Sequence, residues 1–134
     1  MLTKFDEQAQ KAIVVAESIA FDLGHNNVGS EHLLLSLLKI SDCKLRDLVK
    51  EYGVNEKNIY EDIKRLFGTN DDQPFYMEYS DAVKNILETA VEITNKQNKS
   101  KVTLNILTIS LLKNAECVAH ELLKKYHVDF DDII

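Results

Sequence analysis

Tryptophan is absent from the 134 residues, proline occurs once, and glycine occurs four times. So few breakers predict long helices and an all-α chain. No run of 18 apolar residues exists, and residues 1–11 lack the basic-then-apolar layout of a signal peptide, so a cytoplasmic protein with no membrane contact is expected. Positive charge is also short. Nine basic and eleven acidic residues fall in 1–68, seven and eleven in 69–134, for a net charge of −6. That balance argues against duplex nucleic acid, which needs a basic stripe to displace counterions, and it fits a protein partner or a basic ligand. The four histidines have no metal-ligand spacing, and Glu31-His32 is not part of a His-Glu-x-x-His motif. A Gly-x4-Gly-Lys-Ser/Thr phosphate loop is missing too, so ATP hydrolysis by that route is excluded. No metal, no cofactor and no catalytic constellation are expected, and the chain reads as a binding domain rather than an enzyme.

What the chain has instead is itself, twice. Shifted by 74 residues, positions 5–60 pair without a gap with 79–134, and 14 of the 56 pairs are identical. Chance would match about one pair in sixteen. The matches include Leu33/Leu107, Leu37-Leu38-Lys39/Leu111-Leu112-Lys113, Cys43/Cys117, Tyr52/Tyr126 and Val54/Val128. Mostly apolar, they mark a core written twice. Cysteines at equivalent positions of two halves are expected as reduced, buried thiols rather than a disulfide.

Each copy reads as four helices. Asp6 caps a first helix with Ala9, Ala12, Ile13, Ala16, Ile19, Ala20 and Leu23 mostly at three- and four-residue steps, and Gly24 closes it. Ser30 is expected to cap a second helix over 31–39, apolar almost all round and therefore central. A third is predicted over about 42–52, ending at Gly53, and a fourth from the N-cap Asn55 to Gly68. Residues 69–78 read as a linker between repeat 1 (1–68) and repeat 2 (79–134). In the linker, Phe75, Tyr76 and Met77 are either an exposed apolar docking patch or a strap pinned across the domain. In the second copy Ser80, Thr103, Asn114 or Ala115, and Asp129 open the four helices. The last helix stops about two turns short of its counterpart, which reads as a trimmed repeat or, preferably, a fragment of a longer protein.

The segment 23–38, Leu-Gly-His-Asn-Asn-Val-Gly-Ser-Glu-His-Leu-Leu-Leu-Ser-Leu-Leu, resembles the Gly-His-Asn-Asn-Ile-Gly-Thr-Glu-His-Ile-Leu-Leu signature of the Clp N-terminal domains. Phe5-Asp-Glu-Gln-Ala-Gln-Lys-Ala is similar to that family's opening, and Tyr79-Ser80 to the start of its second repeat. The resemblance covers nearly the whole chain and is nearest to the ClpC-like branch. It implies two pseudo-symmetric four-helix repeats in one compact bundle, at the front of a ring-forming ATP-driven unfoldase. Such a module captures protein substrates and adaptor proteins in protein quality control. The partners implied are therefore adaptors, substrates and the rest of a Clp ATPase. The alternative is a free-standing Clp N-like protein that regulates by competing for the same adaptors.

In ClpC-like domains each repeat binds phosphoarginine, with a glutamate at the start of the second helix and a threonine at the start of the first. Carried across, this implies a first site of Glu31 and Asp6, with Ser30 beside them, and a degenerate second site of Ser80 and Asn105. Asp6 stands where the threonine belongs and Asn105 where the glutamate belongs, so each site is expected to hold half of its pair. Phosphoarginine binding is expected to be weak or absent, with plain arginine or a basic peptide better suited to the first site. The second copy also replaces Gly24-His25-Asn26-Asn27 by Asn98-Lys99-Ser100-Lys101, consistent with a different ligand or with drift of an unused site. Two local readings stay open beside these: Glu31 as a favourable charge in a helix's first turn, and Asp6 as a plain N-cap. His32 is expected to be a structural hydrogen-bonder.

Overall fold

The structure, a computed structural model, describes residues 2–134. Helices α1 (Glu7–Asp22), α2 (Ser30–Lys39), α3 (Leu45–Val49) and α4 (Glu56–Phe67) build the first repeat. The second consists of α5 (Asp81–Lys96), α6 (Leu104–Lys113), α7 (Val118–Lys125) and α8 (Phe130–Ile133). Two two-residue strands, β1 (Asn27–Val28) and β2 (Glu78–Tyr79), complete it. Among the described residues no helix is long and apolar enough to cross a membrane.

Local chemistry sets most boundaries. Asp6 accepts a hydrogen bond from the Ala9 N–H at 2.8 Å, Asn55 from Asn58 at 2.9 Å, Ser80 from Val83 at 3.2 Å and Thr103 from Ile106 at 3.2 Å, each satisfying an N–H that its helix leaves open. The left-handed residues that stop α1 and the turn Lys50–Tyr52 are Gly24 (φ 75°) and Gly53 (φ 82°). Their counterparts 74 residues on, Asn98 (φ 56°) and His127 (φ 62°), keep the same conformation without glycine. The backbone repeat is thus stricter than the sequence repeat.

Helix α2 is the axis. Every residue from Ser30 to Leu38 is buried, with Leu34, Leu35, Leu37 and Leu38 at 0% exposure, each worth about 2 kcal/mol of burial. It packs on α1, α3 and α4 of its own repeat and on α5, α6 and α7 of the other. The copies share a second device. Ser36 Oγ donates to the Ala12 carbonyl at 2.5 Å, and Ser110 Oγ to the Ile86 carbonyl at 2.6 Å, 74 residues further along at both ends. Each pins helix two of a repeat to helix one. Ser110→Ala should therefore cost about 1 kcal/mol in urea unfolding, and Ser36→Ala the same. Unequal losses would show that the two halves are not held alike.

The structure corrects four expectations. Ser30 does not cap α2: the N-cap is Gly29, and the Ser30 hydroxyl accepts the Ala119 N–H at 2.9 Å, supplying to α7, across the repeats, the cap that Cys117 does not provide. The third helix is only Leu45–Val49 followed by the short turn Lys50–Tyr52. Its counterpart α7 opens at Val118 rather than at Asn114 or Ala115, because Asn114 Oδ1 takes the Glu116 N–H into a turn. Lastly, the linker is neither wholly patch nor wholly strap. Phe75 and Tyr76 stand out at 108% and 71% exposure, while Met77 packs on the core. Both cysteines are free and buried.

Candidate functional site

The two strands decide which residues meet. β1 and β2 run parallel with Val28 beside Tyr79, and the Ser80 N–H donates to the Val28 carbonyl at 3.0 Å. Related by the 74-residue shift, Phe5 bridges Val102, and the Asp6 N–H donates to the Val102 carbonyl at 2.9 Å. The start of helix one in each repeat is therefore tied to the start of helix two in the other. Glu31 faces Ser80, and Asp6 lies on the side of Asn105. The fold thus brings Glu31 to Ser80 rather than to Asp6, and ties Asp6 to the start of α6, where Asn105 lies. One end of the bundle keeps both the carboxylate and the hydroxyl, and the other keeps neither.

Glu31 and Ser80 line a cavity of about 420 Å³ with Gly29, Tyr79, Lys84 and Cys117 on its walls. Glu31 is 8% exposed, and burial pushes its carboxyl above the usual range against the pull of its own backbone N–H and of His25. No side chain among the described residues donates a hydrogen bond to it. Gly29 makes its position possible, since a Cβ there would run into the Glu31 carboxylate. In the second copy Thr103 stands at the position of Gly29, and Asn105 is exposed. Opposite Glu31, the first turn of α5 presents Ser80 and the N–H groups of a 16-residue helix, a setting that favours negative charge or an acceptor. Tyr79 is fixed by donating to Glu17 Oε2 at 3.1 Å, and burial first, with the Glu17 carboxylate second, pushes its phenol up to about 12. Ser30, placed in the first site from the sequence, lines this cavity, but its hydroxyl is engaged at α7.

Beneath Glu31 runs a chain of hydrogen bonds that spacing along the sequence did not suggest. The Gly29 N–H donates to His32 Nδ1 at 2.9 Å, His32 Nε2 meets His25 Nδ1 at 2.9 Å, and His25 Nε2 meets the Gly68 carbonyl at 2.8 Å. Both ends are fixed, because an N–H only donates and a carbonyl only accepts. His32 must carry its proton on Nε2 and His25 on its own Nε2, so every link is satisfied with both rings neutral. Burial first, and His25 second, hold His32 down to about 4. The chain joins the α1–α2 loop to the end of α4, and the linker departs from there. His32 as a structural hydrogen-bonder fits this arrangement.

Elsewhere a buried carboxylate has a structural task. Asp62 of α4 accepts from Lys125 at 2.8 Å, from Tyr126 at 2.5 Å and from Arg65. Burial raises its carboxyl, but these donors outweigh it and hold it below the usual range. The closing tyrosine of repeat 2 is thus a clamp onto repeat 1 as well as packing.

Comparison with known proteins follows this geometry. The profile of the family described as the Clp repeat (R) N-terminal domain matches residues 4–126. The chain is 27% identical over 131 residues to the Bacillus subtilis negative regulator of genetic competence ClpC/MecB, covering 98% of this chain and 16% of that protein. It thus spans about one sixth of that relative's length. The N-terminal domain of the chaperone ClpD from Arabidopsis thaliana superposes with a TM-score of 0.76 at 20% identity, covering 98% of this chain and 92% of that one. The ClpV N-domain solved with a VipB peptide superposes with a TM-score of 0.74 at 18% identity, covering 98% and 82%. These likenesses establish the fold.

Proposed function

Since this chain belongs to the Clp repeat N-terminal domain family, we propose that it is the non-catalytic recognition domain of a ClpC-like ATP-dependent unfoldase, receiving protein substrates or adaptors. Its ligand group is an arginine side chain bound between the repeats. The observation that carries this is the Glu31 carboxylate, buried and without a side-chain donor, set opposite the start of α5. A guanidinium presents paired N–H donors that fork onto a carboxylate, and the interaction strengthens where water is thinned out. The incoming cation also relieves the cost of keeping Glu31 charged in a buried place.

Ser80 Oγ, which already accepts the Val83 N–H, keeps a lone pair that can take a further N–H of the guanidinium. A phosphate there meets Glu78, Asp81 and Glu116 on the same walls, with only Lys84 to balance them. Plain arginine is therefore the preferred ligand and phosphoarginine the weaker one. Isothermal titration of a capped arginine should show binding that Glu31→Gln weakens at least tenfold, about 1.4 kcal/mol, because a hydrogen bond to a charged group is lost. The variant should fold as stably as the parent or better, since a desolvated charge is removed. Equal binding by parent and variant would refute the assignment, and phosphoarginine binding more tightly than arginine would reverse the stated preference.

A further inference from the structure

The arginine cavity does not end at Glu31. A second cavity of about 590 Å³ lies across that side chain, reaching to His25, Phe67, Asp72 and Pro74. A third of about 300 Å³ runs past Phe75 and Tyr76. Asn27 lines all three, Glu31 joins the first to the second, and Glu78 joins the first to the third. The three cavities adjoin one another along β1 and together offer far more room than one side chain fills.

The walls state what belongs there. Five carboxylates line the three cavities, Glu31, Asp72, Glu78, Asp81 and Glu116, against the single cation Lys84. His32 is held neutral at pH 7 by its burial, and the hydrogen-bond chain occupies both nitrogens of each histidine. Glu31, more than nine-tenths buried, borders both larger cavities with no donor from another side chain. The exposed aromatic rings gather at one end. Phe75 at 108% exposure and Phe67 at 48% flank Pro74. Acidic walls, an unmatched buried carboxylate and aromatic rings at one end together fit a basic chain with an apolar neighbour.

We propose that this run of cavities is a docking groove for an extended protein segment, in which one basic side chain meets Glu31 and an adjoining aromatic or aliphatic residue packs against Phe67, Pro74 and Phe75. Asn26 and Asn27 flank the path with side-chain amides, able to donate to and accept from a peptide backbone. The inference rests on the assignment of Glu31 above and extends it from one side chain to a short sequence pattern. Specificity then comes from the linker. Residues 72–76 form the wall that the neighbour touches, and the second copy's loop at 98–101 plays no part.

The test compares capped arginine with two acetylated hexapeptides, Ala-Ala-Arg-Phe-Ala-Ala and Ala-Ala-Arg-Ala-Ala-Ala, by isothermal titration against the whole chain. The phenylalanine peptide should bind at least tenfold more tightly than capped arginine, and the alanine peptide should fall between them. Phe75→Ala, at an exposed position outside the Glu31 cavity, should remove most of that gain while leaving capped arginine unchanged, and Asp72→Lys, on the cavity that Glu31 also borders, should weaken the phenylalanine peptide more than capped arginine. A phenylalanine peptide no tighter than capped arginine, or one indifferent to both variants, overturns the groove and leaves the arginine cavity standing. Conversely, peptide binding that responds to Asp72→Lys but not to Glu31→Gln overturns the arginine assignment and keeps the surface.

Discussion

Lowering the pH from 7 to 4 should remove about 3 kcal/mol of unfolding free energy through His32 alone. Its ordinary value of 6.5 falls to about 4 in the folded protein, and each unit of such a difference is worth about 1.4 kcal/mol. The sign follows from where the proton prefers to be. Between 6.5 and about 4 the unfolded chain takes up a proton that the folded chain refuses, so stability is full above 6.5 and declines as pH falls through that window. The refusal is geometric as well as dielectric. A proton on His32 Nδ1 would face the Gly29 N–H, and one on His25 Nδ1 would face His32 Nε2–H. Two other groups act on either side of this effect. Asp62, held low by its three donors, contributes stability that is lost only below the normal aspartate range. Glu31, held high, runs the opposite way and offsets part of the loss, because the folded state accepts its proton early. Urea unfolding at pH 7, 5.5 and 4.5 in parent and His32→Gln separates them. The variant should be less stable at pH 7 and show a much flatter decline. Parallel pH profiles would exclude His32 as the source.

Gly24→Ala should cost about 3 kcal/mol. Gly24 sits at φ 75°, where any side chain strains the backbone by about 1–2 kcal/mol. An added Cβ would also lie 2.6 Å from Asn70 Cβ and 2.8 Å from its carbonyl carbon. Asn70 cannot simply retreat, because its N–H donates to the Leu23 carbonyl at 2.9 Å and starts the linker across the end of α1. Relieving the overlap costs a further ~1–2 kcal/mol. Gly53→Ala is the internal control. Gly53 has the same left-handed backbone but open space around it, so only the conformational part, about 1–2 kcal/mol, should appear. Denaturant midpoints for the two variants should differ accordingly. Equal losses would mean that the linker does not press on Gly24.

What was legible from the sequence was what lies close in it. The helices and most of their caps are local matters, readable from Asp6, Asn55, Ser80 and Thr103 and from the spacing of leucines. The repeat revealed the architecture because an apolar core conserves its pattern under a fixed shift. The family signature likewise pointed to the family that the profile match establishes. Which residues share a cavity was not legible, for a definite reason. A repeat tells which residues are equivalent, not which residues touch, and Ser80 lies 49 positions from Glu31. Only the pairing of β1 with β2, too short to show as a strand pattern, brings them to one cavity. The cap that Ser30 supplies to α7 was hidden in the same way, since its partner Ala119 is 89 residues away. The histidine chain was hidden because its protons are fixed by Gly29 and by Gly68, the latter 43 residues from His25.

The cross-tied strands also change what it means for one copy to decay. Had each cavity been built within its own repeat, substitutions in the second copy would erode the second cavity and spare the first. Here inheritance runs along the diagonal. Asp6 belongs to the first copy and Asn105 to the second, and both departures fall at the same end of the bundle. At the other end Glu31 and Ser80, again one from each copy, both remain. Two tandem halves related in this way meet as an internal dimer, with each end of the bundle built from one helix start of each copy. The unit in which site residues meet is the interface between the copies, and neither copy alone.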